Sequence, residues 1–131
     1  MVPSAKADLS SATIGQASIN VHDIDKAAAF YRDALGMRLL FQIPKMAFFD
    51  CGGVRLMLAV AEKPEFDHPS STFYFKVAEI QAVAETLKAR GVEFETPPHL
   101  LARMPDHDLW MAFFRDADRN LLALMSEVRR G

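Results

Sequence analysis

The sequence predicts an α+β fold built from two copies of a β-α-β-β-β unit, and three observations carry that expectation. First, Val21-His22-Asp23-Ile24 opens an apolar-periodic stretch ending at Gly36, and Val77-Ala78-Glu79-Ile80 opens another ending at Gly91. The offset is 56 residues at Val21/Val77, Asp23/Glu79, Ile24/Ile80 and Ala28/Ala84, slipping to 55 at Gly36/Gly91. Second, residues 50–58 match residues 116–124 at an offset of 66, with Leu56/Leu122 and Leu58/Leu124 in step. Third, the elements follow in the same order in both copies. Two copies of one unit close around a pseudo-two-fold axis, so the groove between them is the place to look for function.

Each element has a local reason. In residues 14–21, apolar Ile14, Ala17, Ile19 and Val21 are separated by polar Gln16, Ser18 and Asn20, the alternation of a strand with one polar face. Asp23 is an N-cap, Ile24, Ala27, Ala28, Tyr31, Ala34 and Leu35 fall at helical spacing, and Gly36 stops the helix. Residues 37–43, 46–50 and 54–61 read as strands parted by Pro44-Lys45 and Cys51-Gly52-Gly53. The linker 62–71 holds Pro64 and Pro69, and the second copy follows with a strand at 72–77, a helix at 80–90 stopped by Gly91 and a short strand at 92–95. A long insertion at 97–109, carrying His99, Arg103, Asp106, His107 and Asp108, is expected as a loop of the kind that forms binding lids; its bland reading is a polar surface loop. Strands at 110–114 and 121–128 around a turn at 116–120 complete the unit. The division is thus a tail at 1–13 and one domain at 14–128, with unit one at about 14–61 and unit two at about 72–128.

At 131 residues and 50% hydrophobic, the chain is one domain's worth. Its net charge of −2 is dispersed, with no Lys/Arg stripe to track phosphates, so nucleic acid is not expected as a partner. The opening residues lack the basic and apolar regions of a leader, and no apolar window reaches membrane-spanning length, which predicts a soluble cytoplasmic protein without a membrane partner. The lone Cys51 cannot form an internal disulfide and reads as a small buried hydrophobe. No P-loop, GxGxxG run, CxxC pair or Ser-His-Asp order signature occurs.

The stretch from Ile14 through Ala27-Ala28-Ala29-Phe30-Tyr31 to Leu35-Gly36, together with Asp116-Ala117-Asp118-Arg119-Asn120, resembles the vicinal oxygen chelate superfamily, the glyoxalase, bleomycin resistance and extradiol dioxygenase group. The resemblance runs from about 14 to 128 and departs from the family's "DPDGN" turn at Ala117 and Arg119. If that turn needs a left-handed residue, Arg119 costs roughly 1 kcal/mol. The resemblance implies a curved mixed sheet around a central cavity, frequent dimerisation, and a divalent metal held by four side chains, two per copy. Those places fall here on Gln16, Met57, Thr72 and Ala123. Only Gln16 suits a hard or borderline cation, so no metal cofactor is expected.

The expected function is therefore binding of a small, mostly hydrophobic or aromatic molecule by Gln16, Met57, Thr72, Tyr74, Trp110 and Ala123, in a protein that forms a homodimer. The alternative is a glyoxalase-type lyase or isomerase acting on a carbonyl compound, through a rebuilt metal site or with His107 as general base. A carboxylate at Asp106 or Asp108 would orient the His107 imidazole for proton abstraction; otherwise His107 is a solvated loop residue. His99 and His107, eight residues apart, are a weak signal for a replacement metal site.

Overall fold

The structure is a computed structural model that describes residues 7–130, so the first part of the expected tail lies outside the described residues. β1 (Gln16–Val21) shows the alternation directly: Ile19 and Val21 are buried while Gln16 and Ser18 are exposed. The Asp23 carboxylate caps α1 (Ile24–Ala29) by accepting from the Lys26 N–H at 3.1 Å. The helix runs on through one π-helical turn, Phe30–Ala34, closed by the Leu35 N–H on the Phe30 carbonyl at 3.0 Å. Gly36 and Gly91 end the two helices at φ of 76° and 93°, a backbone state that glycine adopts without steric cost.

β2 (Arg38–Ile43), β3 (Met46–Cys51) and β4 (Val54–Val60) complete unit one, whose sheet has the order β1-β4-β3-β2. A short 3₁₀ turn at Pro64–Phe66 lies in the linker. Unit two comprises β5 (Phe73–Lys76), α2 (Ile80–Ala89), β6 (Phe94–Arg103), β7 (His107–Arg115) and β8 (Leu121–Arg129), with the order β5-β8-β7-β6. In each sheet one parallel pair, β1 with β4 and β5 with β8, is joined to antiparallel neighbours. The repeat thus builds two four-stranded mixed sheets of matching topology.

Each helix covers one face of its own sheet. The buried rows are Ile19, Phe49, Leu56 and Leu58 under α1 and Ala112, Phe114, Leu122 and Leu124 under α2, joined with Tyr31, Ile80, Ala84 and Leu87 into one core. Since strand side chains alternate, the other residues of every strand form a second, helix-free face on each sheet.

The expected lid at 97–109 is not a loop. β6 continues through Pro97 and Pro98 to Arg103, and the Met104 N–H closes a tight turn on the His107 carbonyl at 2.8 Å. Two prolines are tolerated because β6 is an edge strand, and its register with β7 shifts between Thr96 and His99. Among the described residues, no helix is long and apolar enough to cross a membrane.

Candidate functional site

On the helix-free face of the first sheet, register places Gln16 beside Arg55, Ser18 beside Met57, and Phe48 on the other side of Met57. The Arg55 Nε donates to Gln16 Oε1 at 3.0 Å, and the Gln16 amide Nε2 points to the Met57 sulfur at 3.7 Å. The Arg55 guanidinium lies 5.8 Å from the centre of the Phe48 ring, which stacks on Phe41 at 4.5 Å. Phe48 is nearly buried, whereas Phe41 stands half-exposed at the sheet edge. This face therefore sets the Arg55 cation against aromatic side chains, with Arg38 and Asp50 further along the same row.

The helix-free face of the second sheet is more apolar. Tyr74, Ala123 and Phe113 form one row across β5, β8 and β7, with the Tyr74 and Phe113 rings edge to face at 6.3 Å. Lys76, Met125 and Met111 form the next row, and Lys76 is paired with Glu127 at 3.0 Å. Thr72 immediately precedes β5.

Of the residues expected at the site, Gln16 and Met57 thus meet on one sheet, and Tyr74 and Ala123 meet on the other. Trp110 does not join them: it is in register with Ser126 and packs against the helix-covered core. Its parity is opposite to that of Phe113, because β7 starts at His107 and runs without a bulge against β8.

A divalent cation is held by carboxylate or amide oxygens or imidazole nitrogens, and of the four inherited positions only Gln16 carries such a group. Gln16 Oε1 already accepts from a guanidinium, Met57 offers a thioether, Thr72 a neutral hydroxyl and Ala123 no donor. Among the described residues, no group of three or more His, Cys, Asp and Glu side chains is gathered for a metal. The donor set does not fit the metal implied by the resemblance.

His107 opens β7, and its Nδ1 lies 2.7 Å from an Asp106 carboxylate oxygen, which holds the Asp106 carboxyl below its ordinary range. Asp108 turns away to pair with Arg130. His107 is on the same face as Phe113 but six residues along an extended strand, roughly 20 Å away. His99 donates from Nδ1 to the Pro97 carbonyl at 3.0 Å.

Two clefts lie where the halves meet. One, of about 440 Å³, is lined by Asn20, His22, Asp67, Asp118 and Asn120 among others. There Asn120 Nδ2 donates to the Asn20 carbonyl at 2.9 Å, and in the buried core Tyr31 donates to Asp116 at 2.6 Å. Burial first, and then the Asp116 charge, push the Tyr31 phenol well above its ordinary value, so it remains a neutral donor. His22 lies between Asp67 at 2.9 Å and Asp118 at 3.1 Å, and those carboxylates, Asp67 foremost, raise its pKa. The other cleft, of about 390 Å³, is mostly apolar, with Leu35, Met37, Val83, Leu87 and Leu124 in its walls beside Asp50 and Lys76. Cys51 borders it, and burial and the neighbouring Asp50 charge push its thiol up.

Sequence reasoning gave Arg55 no role, and it missed the bond between Tyr31 and Asp116. The signal for Arg55 was its spacing of two from Met57. Nothing local signalled that its guanidinium would reach Gln16, 39 residues away.

These features define a paired β-α-β-β-β repeat protein with two helix-free sheet faces. The Glyoxalase/Bleomycin resistance protein/Dioxygenase superfamily model matches residues 13–124, and the chain belongs to that superfamily. It is similar to an uncharacterized protein, YraH, of Bacillus subtilis (strain 168), with 28% identity over an alignment covering 83% of this chain and 94% of the relative. Among solved structures it resembles a glyoxalase/bleomycin resistance protein/dioxygenase from Nocardioides, with a TM-score of 0.73, 24% identity and coverage of 95% and 89% of the two chains. It also resembles a lactoylglutathione lyase from Agrobacterium tumefaciens, with a TM-score of 0.69, 22% identity and coverage of 88% and 93%. At these identities the structural likenesses establish the fold alone.

Proposed function

We propose that this chain binds a small, mostly hydrophobic or aromatic molecule on the helix-free faces of its sheets, without a bound metal. The observation that carries this reading is the hydrogen bond from Arg55 to Gln16 Oε1 at 3.0 Å: the best of the inherited donors is taken by an internal cation. What surrounds it is suited to apolar contact: Met57, Phe48 and Phe41 on one sheet, Tyr74, Phe113 and Ala123 on the other. The test has two parts. Protein purified without chelator should carry far less than one equivalent of nickel, zinc, iron or manganese by mass spectrometry; a stoichiometric ion held through Gln16 would overturn the reading. A thermal-shift panel of hydrophobic, aromatic and glycopeptide-like compounds should then yield binders, since a ligand selective for the native state raises Tm.

A glyoxalase-type lyase or isomerase is the second reading, favoured by the contact between Asp106 and His107 at 2.7 Å. That arrangement orients an imidazole for proton abstraction. Its separation from the Tyr74, Ala123 and Phe113 row argues against action on a ligand held there. In His107→Ala, loss of a detected turnover with binding retained would favour catalysis.

The same proposal includes a cytoplasmic homodimer. Half-exposed Phe41 and Ile43 on edge strand β2, and Leu101 on edge strand β6, support burial against a second copy. Sedimentation velocity should give twice the monomer mass.

A further inference from the structure

We propose that the Arg55 guanidinium stands in for the metal on the first sheet, and that the ligand of this face is a carboxylic acid with an aromatic body. The inference rests on the small-molecule binding proposed above and narrows it to one chemical class.

The geometry of Arg55 is set by two neighbours. Its Nε donates to Gln16 Oε1 at 3.0 Å, and its carbon lies 5.8 Å from the centre of the Phe48 ring. A guanidinium has five N–H donors in a planar fork, and only the Nε–H is used within the protein among the described residues. Asp50 is in register with Arg55 across the β3–β4 ladder, yet the two form no ion pair among the described residues. The remaining donors are therefore without a protein partner among the described residues, on an exposed side chain held over the Phe48 ring.

Such a fork matches the two oxygens of a carboxylate, which accept parallel hydrogen bonds from it. The role that a metal plays for paired substrate oxygens is thereby open to a fixed organic cation. Beside it, half-exposed Phe41, stacked on the buried Phe48 that Met57 faces across the ladder, offers a flat and polarisable surface. An aromatic amine would meet the same surface but be repelled by the guanidinium, and a neutral aromatic would leave the fork to water.

The test compares 2-naphthoate with its neutral analogue 2-naphthalenemethanol by titration calorimetry on the full chain. The wild type should bind the acid about tenfold more tightly than the alcohol, as a charge-assisted fork at a partly exposed site allows, and added salt should narrow the gap. Arg55→Gln should erase the preference, bringing acid and alcohol to similar affinities. Arg55→Lys should keep part of it, because an ammonium retains the charge but loses the planar fork. Arg55 is exposed, so these variants should fold, which circular dichroism checks.

Equal binding of acid and alcohol by the wild type would overturn this inference while leaving the broader reading intact. So would an acid preference that survives in Arg55→Gln. A variant that changes sedimentation but not acid preference would assign Arg55 to contact between copies, again overturning it. Failure of both compounds and of the wider aromatic panel would overturn the small-molecule reading along with it.

Discussion

The two junctions between the halves occupy matching places in the repeat and are built in opposite ways. At the first, Tyr31 donates to Asp116 at 2.6 Å, and the same carboxylate accepts from the N–H groups of Asp118 and Asn120, both at 2.8 Å, and from Asn120 Nδ2 at 2.9 Å. Asp116 is only 4% exposed, and each of its oxygens is engaged. At the second, Leu87 stands 56 residues after Tyr31 and Asp50 stands 66 before Asp116. The intervening turn there is short, and exposed Asp50 borders a mostly apolar cleft of about 390 Å³ between the parts. A buried carboxylate is tolerable only when its lone pairs are satisfied. The longer turn brings back the Asn120 amide and two backbone N–H groups, and the π-helical turn after α1 supplies the hydroxyl. Without them, the matching carboxylate stays in water and the junction is left apolar.

That contrast is broken most directly at Asp116. Asp116→Ala should cost about 3–4 kcal/mol in urea unfolding, because the Tyr31 hydroxyl and the turn N–H groups lose their common acceptor. Asp50→Ala, its counterpart at the open junction, should change stability by no more than about 0.5 kcal/mol.

Tyr31→Phe leaves Asp116 one bond short in a buried place and should cost about 2 kcal/mol. It should also remove an alkaline sensitivity. Above about pH 10 a tyrosine ionises in the unfolded chain, whereas Tyr31 in the fold remains neutral to higher pH, so wild-type stability falls there.

His22 sharpens the comparison through pH. A protonated ring donates to both Asp67 and Asp118; a neutral ring has one N–H for the two carboxylates. Because the folded pKa is raised, its contribution is fully present below the unfolded value of about 6.5 and is lost as pH rises through the higher folded value. Unfolding measured across that window should show a stability decline that is absent in His22→Gln.

The smallest effect belongs to Arg119, which sits in the locked turn at φ of 69°. Arg119→Gly should relieve left-handed strain, offset in part by glycine's freedom in the unfolded chain, for a net gain of about 0.5 kcal/mol in chemical unfolding.

Much of this architecture was legible in the chain. Asp23 and Gly36 marked the ends of the first helix, Gly91 the end of the second, and alternation along β1 sorted Ile19 and Val21 from Gln16 and Ser18. The sites were less legible. Pro97-Pro98 read as the start of a loop because a strand's position at a sheet edge, where proline does no harm, is not a local property. Trp110 reads as a pocket residue because it adjoins the expected lid; with strand in place of the lid, it follows Ala112 and Phe114 onto the helix-covered face. His107 did acquire the carboxylate partner that its neighbours suggested, at a strand end distant from the apolar row.

The sequence by itself determined the repeat, the order of elements and the rows of side chains, since these follow from periodicities of two and about 3.6 residues acting over short stretches. The left-handed turn at Arg119 was an expectation of the family resemblance, and the backbone adopts it at φ of 69°. Only the tertiary structure decided that Arg55 meets Gln16 and that Tyr31 meets Asp116. Hydrogen-bond partners 39 and 85 residues apart are chosen by register and by closure of the halves, and the need to satisfy buried or fixed polar groups selects among them only once the backbone has brought them within reach.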